Sequence, residues 1–551
     1  MVTGNKKDYK WNILPKQVLD SDGIQHKFSA DRLFFDLEER TNIEEKELKN
    51  IVLSSCQRFI ELNKDQIKTT TIEDIVSSIL SERDYDKERK KYQSYSKKQD
   101  NKFRLRKEFL DQYRDKEPQM DQIGLIVYHR TYSRNLYREN RKERFFDTIK
   151  RVVEGGFSIA KKHCNKLGIE FDALDPTNKA EKMFEKIWNF KFIPAGRSMW
   201  MQGTDFIDKY GSMALNNCSF VSTKDIDVKK TKPFEFLMDA LMLGVGVGFD
   251  TKGAGKIKIQ KPISSNGIFE VPDSREGWIE SVKILIQSYI DKTELPSFDY
   301  SKIRPAGLPI KGFGGISSGP DPLRQLHKDI KDILNKRIGC IIKSIDILDI
   351  MNLIGKCVVS GNVRRSAEIA LGDLDDKEFI KCKDPDLFRE ELLNHRWASN
   401  NCVFAKKNAD YEKLIELIKK NGEPSVFFIE NARKYGRMGE TIKDCKIGGT
   451  NPCGEIGLES YELCNLVETI PVNHESIEEY LETLELAYLY AKFVSLKNTH
   501  WNITNAVILK NRRLGISQTG ISEAIVKFGR TNLLRMCDKG YNYIRKIDDE
   551  Y

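Results

Sequence analysis

The 551-residue sequence contains no CxxC pair, and its 11 cysteines are odd in number. Both facts argue against a structural zinc site and against the disulfide framework of a small secreted domain. No run of 18 apolar residues occurs, which argues against a membrane-spanning helix. The first residues, MVTGNKKDYKWN, lack the apolar core of a secretory signal. The expectation is an intracellular, cytoplasmic protein with no membrane partner. Histidine is scarce, with seven in the chain, so chemistry that depends on imidazole has few candidates.

Nor does one sign of charge dominate. The 91 basic and 82 acidic residues leave a net charge of +9, much of it in KERKKYQSYSKKQDNKFRLRK at 87–107. Such a run reads as a solvated linker or helix face, and no nucleic-acid partner is expected from it. What the chain does have is apolar material: 40% hydrophobic and 10% aromatic residues, enough for a sizeable core. Its length suits one large catalytic domain or about three of ordinary size.

Residues 28–37 and 44–62 carry helical spacing, for example Leu48, Ile51, Val52 and Phe59. Thr71-Ile72-Glu73-Asp74 opens a further helix, with Thr71 as its expected cap. A mostly helical module with its charged linker is therefore predicted over 1–105, and a catalytic domain over 106–551. In the latter, helical segments at 144–162 and 179–190 alternate with short apolar runs: FKFIPAG, LMLGVGVGFD, RPAGLPIKGFGG and GNVRRSAEIALG. Short buried strands alternating with helices predict an α/β architecture. The glycines of Gly244-Val-Gly-Val-Gly248 lack dinucleotide-binding GxGxxG spacing and are read as close packing near the active site.

The most informative segment is GGTNPCGEI at 448–456. Asn451, Cys453 and Glu455 stand at i, i+2 and i+4, a spacing that points all three to one side of an extended segment. Pro452 stiffens the backbone and Gly454 permits close approach of a ligand. No histidine lies within twenty residues of Cys453 to make a thiolate. Glu455 is a poor substitute, its reference pKa being about four units below that of a thiol. A carboxylate can, however, take a proton from a substrate hydroxyl while the sulfur abstracts a hydrogen atom. A buried cysteine in a turn is the plainer reading of this segment, and a cysteine hydrolase is a third.

Asn-Pro-Cys-Gly-Glu, followed by Cys464 in SYELCNLVE, resembles the finger loop of ribonucleotide reductases. YHRTYSRNLY, FIPAGRSMWMQGTD, LNNCSFV, LMLGVGVGFD and GNVRRSAEIALG follow in the family's order, so the resemblance runs from about 122 to 520. It implies a ten-stranded α/β barrel with a central finger loop. It further implies that Cys453 holds a thiyl radical that removes the 3′ hydrogen of the ribose. Glu455 would be the base on the 3′ hydroxyl, Asn451 would hydrogen-bond the sugar, and Cys218 and Cys464 would be the dithiol that becomes a disulfide.

The eleven residues from Cys453 to Cys464 resemble the short interval of the adenosylcobalamin-dependent class, in its monomeric, triphosphate-reducing branch. This implies a ribonucleoside triphosphate substrate, adenosylcobalamin as cofactor, and thioredoxin or a similar dithiol as reductant. The cobalamin-binding DxHxxG pattern is absent, and reductases of this class do without a protein histidine on cobalt, so no metal ligand is named.

Asp273 and Ser274, within an effector-binding region around 250–370, resemble the start of the family's deoxynucleotide effector site. The stretches 307–320 and 361–367, the latter with Arg364 and Arg365, resemble the loops that relay effector identity. Residues 18–33 and 69–92 resemble an ATP-cone, although Leu19, Asp20 and Ser21 replace its usual basic residues, which puts phosphate binding there in doubt. The family continues past the point matching Tyr551, so a barrel incomplete at its C-terminus is expected. Within the superfamily the rival is a large subunit that needs a second radical-generating protein. Outside it, the rival is a catalytically inactive nucleotide-binding fragment.

Overall fold

Short apolar runs become strands and amphipathic stretches become helices in the computed structural model, which describes residues 14–19, 25–99, 102–136, 139–310, 313–360, 367–437 and 444–551. The chain divides into two compact units, Met1–Phe103 and Arg104–Tyr551. In the first, β1 (Gln17–Leu19) pairs antiparallel with β2 (Gln25–Lys27) and parallel with β3 (Gln66–Lys68). Among its described residues four helices complete it: α1 (Ala30–Arg40), α2 (Glu45–Glu61), α3 (Thr69–Glu82) and α4 (Asp86–Gln99). Leu37, Ile51, Phe59, Val76 and Leu80 are fully buried between them.

One local expectation is corrected here. Thr71 is not a cap: β3 runs directly into α3, so Lys68, its last residue, takes the capping position. Of the two readings of the charged run, linker or helix face, the part up to Gln99 is helix: in α4 acidic Asp86 and Glu88 in the first turn pair with Arg89 and Lys91 one turn on.

In the second unit helices Lys107–Asp111 and Gln122–Thr131 precede a small hairpin of β4 (Asn135–Leu136) and β5 (Arg141–Lys142). Its main sheet is built from β6 (Phe192–Pro194), β7 (Cys218–Val221), β8 (Gly246–Asp250), β11 (Glu368–Asp373), β12 (Ser399–Phe404), β13 (Ser425–Phe427), β16 (Glu462–Thr469) and β17 (Leu514–Gln518). The order is β13-β12-β11-β8-β7-β16-β17, with β6 also on β16. The strands β7, β8, β11, β12 and β13 are mutually parallel. β16 runs antiparallel to β7, and β17 is parallel to β16. β8 is buried at every position, as expected of a parallel strand covered on both faces. The expected α/β class is found; among the described residues the sheet has eight strands, against the ten of the expected barrel. Among its described residues RPAGLPIKGFGG forms no named strand. Its described residues are loop, with Gly307 and Gly314 at positive φ and one isolated bridge between Pro309 and Ile316.

A parallel pair, β9 (Ile263–Glu270) and β10 (Glu294–Asp299), stands apart from this sheet and packs with helices Arg275–Asp291 and Asp321–Lys336. His327 joins these elements. Its ring is hydrogen-bonded with Ser281 Oγ at 3.0 Å and Tyr300 Oη at 2.8 Å, and lies 4.4 Å from the Phe298 ring. Burial pushes its pKa down to about 3, so the folded protein holds it neutral while the unfolded chain takes up a proton below about 6.5. The stability this contributes is present above pH 6.5 and is lost as pH falls toward 3. Thermal unfolding between pH 6 and 4 is expected to show a loss of about 1.4 kcal/mol per pH unit from this group. The dependence should flatten in His327→Gln.

Candidate active site

Two glycines and a hairpin decide where Cys453 goes. β14 (Gly449–Thr450) and β15 (Gly457–Leu458) pair antiparallel, with residues 451–456 as the tip between them. The hairpin lies across β7 and β8 because side chains are missing there. A Cβ on Gly248 would stand 1.9 Å from the Thr450 carbonyl oxygen, and one on Gly246 3.0 Å from the Pro452 ring. A Cβ on Gly449 would meet the Phe220 ring at 2.2 Å. The packing role expected for Gly244–Gly248 is what these approaches display. Lys252, 3.9 Å from the buried Asp250 carboxylate, donates to the Gly448 carbonyl at 3.3 Å and ties the hairpin stem to the end of β8.

The tip is a tight turn, not the extended segment expected. Gly454 N–H donates to the Asn451 carbonyl at 2.9 Å, and Gly454 itself sits at φ +87°, a conformation that favours glycine. The turn still brings the polar groups together. Asn451 Nδ2 donates to Glu455 Oε1 at 2.7 Å, while Asn451 Oδ1 accepts from Ile456 N–H at 3.1 Å and Thr450 Oγ1 at 3.2 Å. Asn451 is fully buried, whereas Cys453 and Glu455 are exposed at the tip.

Below the tip, Cys218 and Cys464 stand directly opposite each other on β7 and β16. Both are free thiols, and residues directly opposite on antiparallel strands have Cα atoms about 4.5–5.5 Å apart, within the span a disulfide bridges. Cys464 and Asn451 lie close enough to the Cys218 thiol for hydrogen bonding to act on its titration. Cys464 draws the Cys218 thiol below its ordinary pKa, and the same interaction with burial pushes Cys464 well up. Cys464 therefore keeps its proton. Cys453 is also raised, first by desolvation and then by the negative charge of Glu455 and Cys218.

A raised thiol is a poor nucleophile and an intact hydrogen carrier. This counts against a cysteine hydrolase. Mass mapping after brief iodoacetamide treatment at pH 7.5 should find Cys453 modified more slowly than an unstructured thiol. Faster modification would restore the hydrolase reading.

Beside Cys453 lies a cavity of about 270 Å³, lined on the far side by Asn400, Cys402, Ser425 and Phe427. These residues were not singled out in the sequence, since adjacent parallel strands bring them together without any local motif. Asp273 and Ser274 lie elsewhere. Ser274 caps helix Arg275–Asp291 by accepting from Gly277 N–H at 3.0 Å, and Asp273 pairs with Arg304 at 2.7 Å. Arg364 and Arg365 lie outside the described residues.

A thiol-tipped hairpin laid over a facing cysteine pair, at the junction of parallel and antiparallel strands, is the arrangement of a ribonucleotide reductase. Residues 105–204 match the ribonucleotide reductase alpha domain, and 252–334 match the insertion domain of B12-dependent ribonucleotide reductase. A probable adenosylcobalamin-dependent ribonucleoside-triphosphate reductase of Dictyostelium discoideum is 46% identical over 472 residues, covering 82% of this chain and 62% of that protein. The corresponding enzyme of Euglena gracilis is 43% identical over 448 residues, 80% of this chain and 61% of its own. That of Lactobacillus leichmannii is 35% identical over 478, with 76% and 64% covered. A crystal structure of a B12-dependent (class II) ribonucleotide reductase superposes with a TM-score of 0.67 at 32% identity, covering 77% of this chain and 66% of that one. Over about three quarters or more of its length the chain is similar to B12-dependent ribonucleotide reductases, and it spans about three fifths of the length of the curated relatives it matches.

Proposed function

We propose that the chain reduces ribonucleoside triphosphates to 2′-deoxyribonucleoside triphosphates. The observation that carries this reading is the Cys453 tip, where Asn451 donates to Glu455, together with the Cys218–Cys464 pair facing across β7 and β16. Cys453, as a sulfur radical, takes the 3′ hydrogen atom of the ribose. Glu455 accepts the proton of the 3′ hydroxyl, and Asn451 holds that hydroxyl in line with the carboxylate. The 2′ hydroxyl leaves as water. The dithiol supplies the two protons and two electrons that convert C–OH to C–H and water and closes to a disulfide, and Cys453 then returns its hydrogen atom to the 3′ carbon and is a radical again. Thioredoxin or a similar dithiol reopens it.

Adenosylcobalamin, when bound, supplies the radical equivalent by homolysis of its cobalt–carbon bond. The cavity beside Cys453 suits an uncharged nucleoside group, since Glu423 is the one charged residue in its lining, and Asn400, Cys402, Ser425 and Phe427 would hold that group. The seven strands from β13 to β17 in sheet order fit part of a ten-stranded reductase barrel. The first unit is the cone-like module, and a deoxynucleotide effector is assigned to Asp273 and Ser274 with Arg364 and Arg365.

The test is deoxynucleotide formation by the full chain from a ribonucleoside triphosphate and a small dithiol, with and without adenosylcobalamin. Product that requires the cofactor is expected. No product with the cofactor present would leave a nucleotide-binding fragment as the better reading. Product that appears only with a second radical-generating protein would instead point to the large-subunit class.

A further inference from the structure

Arg197 is a cation inside the protein without an anion. Its side chain is only partly accessible, its Nε is buried and unpartnered, and the one hydrogen bond it makes runs from Nη2 to the Leu243 carbonyl. Among the described residues no carboxylate pairs with it, whereas most other buried or half-buried arginines of this unit hold one, Arg151, Arg337, Arg396 and Arg513 among them. A guanidinium has five N–H donors, and a buried charge is costly unless paired. Burial pushes this one down to about 10, so it remains a cation at neutral pH and bears that cost.

The place is built for it. A Cβ on Gly244 would fall 1.2 Å from Arg197 Nη2, so the first glycine of Gly244–Gly248 is the gap through which the guanidinium passes. Ser198, the next residue, donates to the Leu215 carbonyl at 3.3 Å. Leu215 and Leu243 each stand three residues before a strand start, at Cys218 and Gly246, and those two residues are register partners in the sheet. Short helix Gly196–Met201 is thus lashed to both segments that lead into the Cys218 end of β7 and β8. Tyr132, packed against Gly196, brings a hydroxyl to the same place and no carboxylate.

Resting on the reductase reading above, we propose that Arg197 binds the phosphate end of the ribonucleoside triphosphate at the strand-start edge of the Cys218 site. A planar fork suits phosphate oxygens, and a missing counter-ion is what a site for an anionic ligand leaves when the ligand is absent.

Calorimetric titration of the full chain with inorganic tripolyphosphate, and separately with adenosine, tests this without any turnover. Wild type is expected to bind tripolyphosphate more weakly as salt is raised. Arg197→Met should weaken that binding about 10- to 100-fold, the loss of charge-assisted hydrogen bonds, and leave adenosine affinity unchanged. Arg197→Lys, which keeps the charge and loses the fork, should fall between, and it carries the test if the methionine variant does not fold. Wild-type affinity for tripolyphosphate in both variants would overturn the proposal, as would equal loss of tripolyphosphate and adenosine binding. Arg197-dependent binding in a chain that makes no deoxynucleotide would sink the reductase reading and leave the anion site standing. Turnover with an unchanged KM in both variants would do the reverse.

Discussion

Replacing Cys453 by alanine is expected to abolish deoxynucleotide formation, by on the order of a thousandfold or more, while leaving the fold intact. The size of the effect follows from the site. No other thiol stands on the hairpin tip, and Cys218 and Cys464 are committed to each other across β7 and β16. The fold should survive because Cys453 is exposed and its neighbours Asn451, Thr450 and Ile456 hold the turn through their own hydrogen bonds. The measurement is product per chain by chromatography beside a thermal unfolding curve. Residual product within tenfold of wild type would assign the radical to another residue.

The second large effect is expected at Gly248, which touches no substrate in this scheme. An alanine there places its Cβ 1.9 Å from the Thr450 carbonyl oxygen, a backbone atom that cannot swing aside. The hairpin must lift from β8, and Cys453 moves with it. A displacement near 1 Å can cost about a hundredfold in rate, and overpacking typically costs about 1–3 kcal/mol of stability. Gly248→Ala should therefore lower product formation far more than a surface change of equal stability cost. The comparison is with Gly255→Ala, where nothing lies within 4 Å of the added Cβ and φ is positive, so only local backbone strain is introduced. Equal rates in the two variants would mean that the hairpin is not positioned by this contact.

The residues of the tip were legible in the sequence because their chemistry is local. Asn451, Cys453 and Glu455 fall within five residues, and glycine and proline around them already describe a turn. Their geometry was less so. Alternation along an extended segment was expected to align them, whereas the positive φ of Gly454 folds the chain back and Asn451 meets Glu455 inside a turn. The facing of Cys218 and Cys464, far apart in the chain, needed the register of two strands. Without the family resemblance Cys218 reads as one more small buried residue. Arg197 carried no signal at all. An arginine after a glycine is ordinary, and only the space over Gly244 reveals that its charge is shut in.

By itself the sequence determined the α/β class, the helical character of the first unit, and the thiol, amide and carboxylate of the tip. These depend on periodicity, glycine and proline placement, and spacing over a few residues, which the backbone reads locally. Tertiary structure decided which strands lie side by side, which thiols face each other, and which charges find partners. Those contacts join segments far apart in the chain, and they are selected by packing and burial across the whole sheet, for which no local pattern exists.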